Sequence, residues 1–167
     1  IINNKNGDVF FMPAGRIHAT GPGILFAEIQ QTSDITYRIY DWDRLGDNGK
    51  PRQLHTDLAL DAIDYTYHKK LKTDYSPETD KSCNIISCEF FTTNIIDLAH
   101  KTEFDYVKLD SFVVYMAING DTNIYYNQTD KPVILTKGET ILIPAVLKQI
   151  ILEPINSQSK LLEVYIS

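Results

Sequence analysis

The chain contains 167 residues, of which 43% are hydrophobic and 23% charged, and its formal net charge is −6. These values are typical of a soluble globular protein with a core, and the absence of any run of about eighteen apolar residues predicts that it has no membrane span. The acidic balance argues against nucleic acid as a partner because no basic face can dominate, although a local cluster of Arg or Lys can still bind an anionic small molecule.

The first motif along the chain is GDVFFMPAGRIH, residues 7–18. It predicts a short strand over residues 9–12, a tight turn at Pro13-Ala14-Gly15, and His18 projecting from the start of a further strand. Gly15 turns the chain where a side chain would obstruct, and Pro13 fixes the approach. The spacing Gly-x5-Pro-x-Gly-x2-His resembles the second signature of the cupin barrels, which implies that His18 is a metal ligand on a barrel's inner wall. The alternative is a turn histidine bonded to the backbone.

Two further strands are predicted before the chain reaches its first long turn. The segment 24–31, ILFAEIQQ, has strand composition at its start, and its alternation places Glu28 on what we expect to be the inner face. The segment 36–41, TYRIYD, is a second strand and carries Arg38. The segment 45–51, LGDNGKP, is dense in turn residues and ends this pattern.

The sequence predicts one good helix, beginning at Thr56, which can cap it. Leu54, Leu58 and Ala62 recur at four-residue spacing, and Asp57 adds negative charge where a helix begins. The rest of the chain is predicted to be a polar linker over residues 73–82 and then strands within 84–93, 106–109, 111–118, 123–127, 132–136, 140–145, 149–155 and 161–167.

An internal repeat lies within this second half. Residues 138–144 follow the same plan as residues 7–13, with the same spacing from glycine to proline. The second copy then departs from the signature, because Val146 stands in place of the turn glycine and Gln149 in place of the histidine. Upstream, Val113 stands where the first cupin signature carries a glutamate. We therefore expect a second cupin-like barrel that lacks metal ligands.

The block GDVFFMPAGRIHATGPGILFAEIQQTSDITYRIYDWDR, with GKPRQLH and the helix after it, resembles the core of the type I mannose-6-phosphate isomerases. The resemblance implies a mainly β fold: a cupin-like jelly-roll barrel, with remnant strands of a second cupin barrel and one linking helix. Residues 1–45 would be the C-terminal part of the catalytic zinc barrel, 46–82 a helical linker, and 83–167 the degenerate C-terminal barrel. It also implies an enzyme that interconverts mannose 6-phosphate and fructose 6-phosphate with one zinc ion.

The family holds its zinc with a glutamine, a histidine, a glutamate and the histidine after the PAG turn. Only the last of these is present here, as His18, and the other three would precede residue 1. The resemblance therefore implies the C-terminal half of such an enzyme, with the N-terminal half of the same enzyme as its partner. Because one imidazole does not hold zinc tightly, we expect the isolated chain to bind zinc weakly and to be inactive.

Isomerisation through an enediol needs groups that accept and return a proton between C1 and C2, and positive charge to stabilise the oxyanion. Arg38 matches the family's catalytic arginine in its TYR motif, and a guanidinium suits an enediolate or a phosphate. Glu28 is a candidate for proton transfer, and Asp34 for orienting Arg38 or assisting ring opening. The structural alternatives are an ion pair of Arg38 with Asp41 or Asp43, and a turn role for Asp34.

Arg44 and Lys50, with Arg52 beside them, form a basic cluster that we assign to binding the sugar phosphate, with a solvated loop as the alternative. Cys83 and Cys88 are predicted to be free, partly buried thiols in a reducing cytoplasm. A second hypothesis is a non-catalytic cupin-type module that binds a sugar or an assembly partner. Oxygenase chemistry fits less well, because it usually requires two or three histidines at a cupin site.

Overall fold

A computed structural model of the chain describes residues 2–33, 35–127 and 129–166. Contacts divide these residues into two compact units, one formed by Ile1–Val9 and Lys72–Ser167 and the other by Phe10–Leu71. The prediction of a mainly β protein with one helix is confirmed, whereas the predicted domain boundaries at residues 45 and 82 stay a prediction. The described elements are α1 (Thr56–Ala62), β1 (Ser82–Ser87), β2 (Thr92–Leu98), β3 (Thr102–Asp105), β4 (Val113–Asn119), β5 (Thr122–Tyr126), β6 (Val133–Leu135), β7 (Thr140–Ile143), β8 (Gln149–Pro154) and β9 (Ser159–Tyr165).

The strands form two antiparallel sheets in the first unit. One has the strand order β1-β2-β9-β4-β7 and the other the order β3-β8-β5-β6. Alternate residues of several strands enter a common core, as the two-residue period of a strand allows. In β4 these are Val113, Tyr115 and Ala117, and in β8 they are Ile150 and Leu152, all buried.

Two details of the strand prediction were wrong. The segment 84–93 contains two strands rather than one, because Cys88 donates its backbone N–H to the carbonyl of Phe91 at 3.1 Å and closes a turn between β1 and β2. The segment 106–109 is a turn closed by Leu109 and Tyr106, and β3 lies just before it. The composition of both segments suits a strand, but turns decide where the strands end. Both cysteines are free and partly buried, as predicted.

A buried polar row crosses the five-stranded sheet. Glu163 of β9 pairs in register with Asn94 of β2 on one side and with Tyr115 of β4 on the other. Its carboxylate is only 2% exposed and accepts hydrogen bonds from Asn94 at 2.6 Å, from Ser82 and from Tyr106, whose hydroxyl also bonds to Tyr115. The described contacts of this carboxylate are therefore to neutral donors, which satisfy its oxygens within the core.

The row predicts that the protein loses stability at alkaline pH. Burial, reinforced by the charge of Glu163, raises the pKa of both Tyr106 and Tyr115 well above the usual value near 10. The folded protein therefore keeps protons that the unfolded chain releases, so the stability from these groups is complete below about pH 10 and falls above it by about 1.4 kcal/mol per pH unit for each tyrosine. Urea unfolding at several pH values measures this slope. Tyr115→Phe should reduce the slope of the free energy of unfolding against pH, and an unchanged slope in this variant would contradict the assignment. The control is Tyr67→Phe, at an exposed position.

The second unit contains α1 as its only described helix and no named strand. The strands predicted over 9–12, 24–31 and 36–41 are therefore not seen, although the same segments are rich in strand-forming residues. A strand requires hydrogen bonds to a neighbouring strand, and the described residues of this unit offer none beyond an isolated bridge between Leu45 and Pro51. Apolar side chains consequently stay exposed, with Leu25 at 99%.

The predicted helix is confirmed, although it is shorter than the pattern indicates and starts differently. His55 rather than Thr56 is the N-cap residue, and it makes no side-chain capping bond. Asp57 lies in the first turn, as predicted. The helix ends at Ala62, because Ile63 adopts an extended backbone. Among the described residues, no helix is long and apolar enough to cross a membrane.

The internal repeat is visible in the backbone. Gly7 and Gly138 have φ angles of +88° and +89°, and the residue after each glycine donates its N–H to the carbonyl three residues earlier, at 3.1 and 2.9 Å. Six residues after each glycine comes a proline, Pro13 or Pro144, whose carbonyl accepts the N–H three residues later, at 3.3 and 2.9 Å. The two copies therefore share both turns, whereas only the second copy has a strand, β7, between them.

Candidate functional site

The PAG turn packs against the end of α1. Gly15 has a φ of +83°, and a Cβ atom at this position would lie 2.6 Å from the carbonyl oxygen of Ala62. The carbonyl of Gly15 accepts the N–H of Asp64 at 2.9 Å. The prediction that a side chain at Gly15 would obstruct the turn is therefore supported by geometry, since both the backbone angle and the close approach favour glycine.

His18 lies just after this turn, but it is exposed and is not part of a described strand. Its Nδ1 lies 3.0 Å from the carbonyl oxygen of Arg16. A carbonyl oxygen can only accept, so Nδ1 is the donor in this contact. Metal-binding histidines commonly use this arrangement, in which one ring nitrogen donates to a carbonyl and the other coordinates the ion. The contact equally satisfies the alternative of a turn histidine bonded to the backbone.

Arg38 is held at several points by the segment that leads into α1. Its backbone N–H donates to Nδ1 of His55 at 3.1 Å, and its carbonyl accepts the N–H of His55 at 2.8 Å. Its guanidinium donates from Nη1 to the carbonyl of Gln53 at 3.2 Å. Because these contacts come from residues 15 and 17 positions further along the chain, the placement of Arg38 is a tertiary feature.

Three arginines converge on one buried carboxylate, that of Asp41, which is 6% exposed. Arg52 donates to both of its oxygens, from Nε to Oδ2 at 2.6 Å and from Nη2 to Oδ1. Nη2 of Arg44 lies 3.2 Å, and Nε of Arg38 3.9 Å, from Oδ1. The hydrogen bonds from Arg52 lower the pKa of Asp41, and the same contact raises the pKa of Arg52.

We call Arg38, Asp41, Arg44 and Arg52 the arginine cluster. A cleft of about 570 Å³ lies beside it. The cleft is lined by Arg38, by Arg52 and by Lys50, the predicted substrate-binding residue. Arg44 is exposed, and its Cζ atom lies 5.7 Å from the centroid of the Trp42 ring. Three guanidiniums face a single carboxylate in the cluster, so the cluster carries excess positive charge. The remainder of the cleft is lined by Gly46, Asp47, Asn48, Pro51 and Gln53.

The predicted carboxylates are not joined to this cluster. Glu28 is exposed on a segment without regular structure, so its placement on the inner face of a strand is not seen. Asp34 lies outside the described residues. Within the part of the chain that the structure describes, no hydrogen bond or ion pair connects His18 or Glu28 to Arg38.

The described residues by themselves do not fit a zinc ion. No group of three His, Cys, Asp or Glu side chains among them is arranged to hold a metal. Zinc sites require three or four protein ligands, and His18 supplies one imidazole. Any metal chemistry at this site would therefore need ligands in addition to those of the described residues.

The sequence reasoning missed the two residues that organise the site. Asp41 was considered only as a surface partner of Arg38, although it is the buried centre of the arginine cluster. His55 lies at the entry to the helix, and its bond to Arg38 is a tertiary contact that the sequence does not show. Three arginines within the 15 residues 38–52, around the acidic turn DWDR, are a signal for a central carboxylate, yet spacing alone does not show which carboxylate is buried.

Curated proteins that resemble this chain match it over most of its length. YvyI of Bacillus subtilis, a putative mannose-6-phosphate isomerase, is 36% identical over 147 residues, which are 86% of this chain and 45% of YvyI. ManA of the same bacterium, a mannose-6-phosphate isomerase, is 31% identical over 151 residues, which are 89% of this chain and 47% of ManA. The chain thus spans about half the length of the curated relatives it matches. No family model matches the sequence.

Solved structures give the same relationship. The mannose 6-phosphate isomerase from Bacillus subtilis superposes with a TM-score of 0.64 and 28% identity, covering 79% of this chain and 40% of that chain. A mutant phosphomannose isomerase from Salmonella typhimurium gives a TM-score of 0.57 at 15% identity, covering 71% of this chain and 29% of that chain, and supports the fold alone. The likeness confirms the mainly β, cupin-like fold class.

Proposed function

We propose, from the premise that this chain is a relative of the mannose-6-phosphate isomerases, that it supplies part of the active site of an aldose–ketose isomerase acting on mannose 6-phosphate and fructose 6-phosphate. The observation that carries this proposal is the arginine cluster beside a cleft lined by Lys50. A sugar phosphate brings a permanent negative charge, and its isomerisation passes through an enediolate that develops a second one. A site with excess guanidinium charge favours both.

The residues of the chain take separate roles in this proposal. Lys50 and Arg44 bind the phosphate group, so that the reacting carbons of the sugar lie away from these two residues. Arg38 faces the oxyanion of the enediolate with donors that keep their charge through the reaction. A proton leaves C2 and returns to C1, with Glu28 as its carrier, while Asp34 assists opening of the sugar ring. Glu28 would have to approach Arg38, because no described hydrogen bond or ion pair joins the two residues.

We further propose that residues 1–45 form part of a catalytic cupin barrel, that 46–82 link it to the rest, and that 83–167 form a barrel without metal ligands. In the second copy of the signature, Val146 and Gln149 supply neither imidazole nor carboxylate. Zinc would belong to the complete enzyme, where it would supply a Lewis acid and His18 would be one of four ligands. The remaining ligands would come from the N-terminal half of that enzyme, which we propose as the partner of this chain in a cytoplasmic protein.

A chimera tests the proposal. In the ManA chimera, this chain replaces the segment of Bacillus subtilis ManA that it matches, so that ManA supplies the remainder of its own length. We expect the ManA chimera to hold about one zinc ion and to isomerise mannose 6-phosphate, because His18 completes the ligand set. We expect this chain alone to do neither. Metal analysis and a coupled assay for fructose 6-phosphate measure both results.

Two outcomes would contradict the proposal or a part of it. A folded, zinc-loaded chimera without isomerase activity would favour the second candidate, a non-catalytic module that binds a sugar or an assembly partner. Sub-micromolar zinc binding by this chain alone would contradict the expectation that His18 needs further ligands. The matched control is His18→Ala in the chimera. This variant should lose zinc, whereas the far-ultraviolet circular dichroism from the strands of the first unit should be unchanged.

A further inference from the structure

The centre of the arginine cluster is a carboxylate that the proposed reaction does not use. Asp41 is almost completely buried, and its three arginine partners are 3, 3 and 11 positions away along the chain. One carboxylate neutralises one guanidinium, so two positive charges in the cluster are left without a matching negative charge from Asp41. A purely structural ion pair needs one partner, whereas the surplus suits a site that receives an anion.

The contacts of Asp41 also determine which donors are left for a ligand. Arg52 uses Nε and Nη2 for the carboxylate, which leaves Nη1 on the other edge of its guanidinium, and its side chain stays partly exposed. Arg38 uses Nη1 for the carbonyl of Gln53 and turns Nε toward Asp41, which leaves Nη2. Both side chains line the cleft. Asp41 therefore holds the guanidinium of Arg52 by two hydrogen bonds while Nη1 of Arg52 remains available for a ligand, whereas the guanidinium of Arg38 is held mainly by Gln53.

The backbone at Asp41 is unusual in a way that points to function. Trp42 and Asp43 both have positive φ angles, of 50° and 54°, and the N–H of Arg44 donates to the carbonyl of Asp41 at 3.0 Å. This is a type I′ turn, which favours Asn and Gly and disfavours a bulky residue such as Trp. Such strain persists where surrounding contacts over-determine it, and it concentrates at functional sites.

We infer that Asp41 is a positioning residue, which holds the guanidinium of Arg52 at the cleft so that Arg52 binds the phosphate group of the substrate together with Lys50. The inference rests on the proposed function for the identity of that anion, and it adds Arg52 to the residues that bind it. Asp41 itself does not contact the substrate, since its oxygens are occupied by the arginines. The lowered pKa of Asp41 agrees with this role because the carboxylate stays charged.

The test compares Asp41→Asn with Asp43→Asn in the ManA chimera. The two substitutions remove the same charge from neighbouring positions of one turn, and Asn tolerates the positive φ of Asp43. Asp43 is exposed and has no described ion pair with the arginine cluster. We expect Asp41→Asn to raise the KM for mannose 6-phosphate by roughly 10- to 100-fold with a smaller change in kcat, because misplaced donors weaken phosphate binding. Asp43→Asn should leave both constants unchanged.

Inorganic phosphate provides a readout that does not depend on turnover. Its competitive inhibition of the chimera, and its binding to this chain alone by titration calorimetry, should weaken in Asp41→Asn by the same factor as the KM. Equal phosphate affinity in Asp41→Asn and Asp43→Asn would overturn the inference, as would a failure of the unsubstituted chain to bind phosphate. An inactive chimera with an intact phosphate effect would instead count against the proposed isomerase function.

Arg52→Lys covers the case in which Asp41→Asn fails to fold. Lysine keeps the charge but cannot form the two-pronged bond to Asp41, so it tests the same positioning with a conservative change. We expect Arg52→Lys to raise the KM and to weaken phosphate inhibition. Asp41→Glu keeps the carboxylate, so we expect it to keep part of the substrate affinity and part of the phosphate inhibition. Unchanged phosphate inhibition in Arg52→Lys would overturn the inference.

Discussion

Arg38→Ala in the ManA chimera is expected to lower kcat for isomerisation by about 10²- to 10³-fold while the bound zinc is unchanged. The reason is that a guanidinium fixed before the reaction stabilises developing charge without reorganising, and this stabilisation is lost when the side chain is removed. The guanidinium of Arg38 is held before the reaction by the carbonyl of Gln53, and the backbone of Arg38 is held by His55. Because the bond to His55 is made by the backbone, the substitution leaves that contact in place.

Two companion variants separate the roles in the cleft. Arg38→Lys keeps the charge but loses the planar donors, so we expect it to recover only part of the rate. Lys50→Ala should instead raise the KM with little change in kcat, since it is assigned to the phosphate. The assay follows isomerisation with zinc content measured alongside. If zinc stays bound and Arg38→Ala turns over at the original rate, the assignment of Arg38 is wrong.

Glu163→Ala is expected to destabilise the first unit, which contains all the named strands and which we call the β unit, by about 3–5 kcal/mol. This is the largest loss of stability that we predict for this chain. The substitution leaves two buried donors, those of Asn94 and Tyr106, without this acceptor, and it also removes the partner of the exposed Ser82 hydroxyl. Each unsatisfied buried donor costs about 1–3 kcal/mol, and the removed side chain leaves a void between Asn94 and Tyr115, the partners of Glu163 on the two neighbouring strands. Glu163→Gln keeps the volume and should lose less.

Glu153→Ala is the matched control. Glu153 also lies on a strand, β8, and also accepts a hydrogen bond from a tyrosine hydroxyl, that of Tyr125 at 2.6 Å, but its side chain is partly exposed to solvent. We expect a clearly smaller loss there. Urea unfolding followed by far-ultraviolet circular dichroism reports the β unit, because all the described named strands lie in it. Equal losses for the two alanine variants would contradict a special role for the buried row.

Much of the β unit could be predicted from composition and alternation. The segments around β4, β5, β7, β8 and β9 were located because each alternates apolar and polar residues or is strongly apolar, and turn residues separate them. The helix at Thr56 was found from its four-residue spacing. The division of residues 84–93 into two strands could not be predicted. The turn between them is closed by a backbone hydrogen bond, and its residues 88–91 include none of those that usually mark a turn.

The candidate site divides in the same way. His18, Arg38 and Lys50 were found because a motif or a resemblance marks them, and local pattern is enough for that. Asp41 was undervalued because burial is a property of the folded chain, and an aspartate in DWDR resembles any surface aspartate in a turn. Glu163 carries no signal in the sequence, because LLEVYIS does not show that the glutamate faces inward and contacts Asn94 and Tyr106.

The two copies of the repeated signature show where the limit of the sequence lies. Gly7 and Gly138, with the prolines six residues later, form the same two turns in both copies, because a turn needs only the conformational preferences of its own few residues. The strand between the turns forms in the second copy alone, where β7 pairs with β4. The sequence by itself determined the turns, the helix and the charged residues of the site. Tertiary structure decided which segments became strands and which carboxylates were buried, because strand pairing and burial depend on residues far away along the chain.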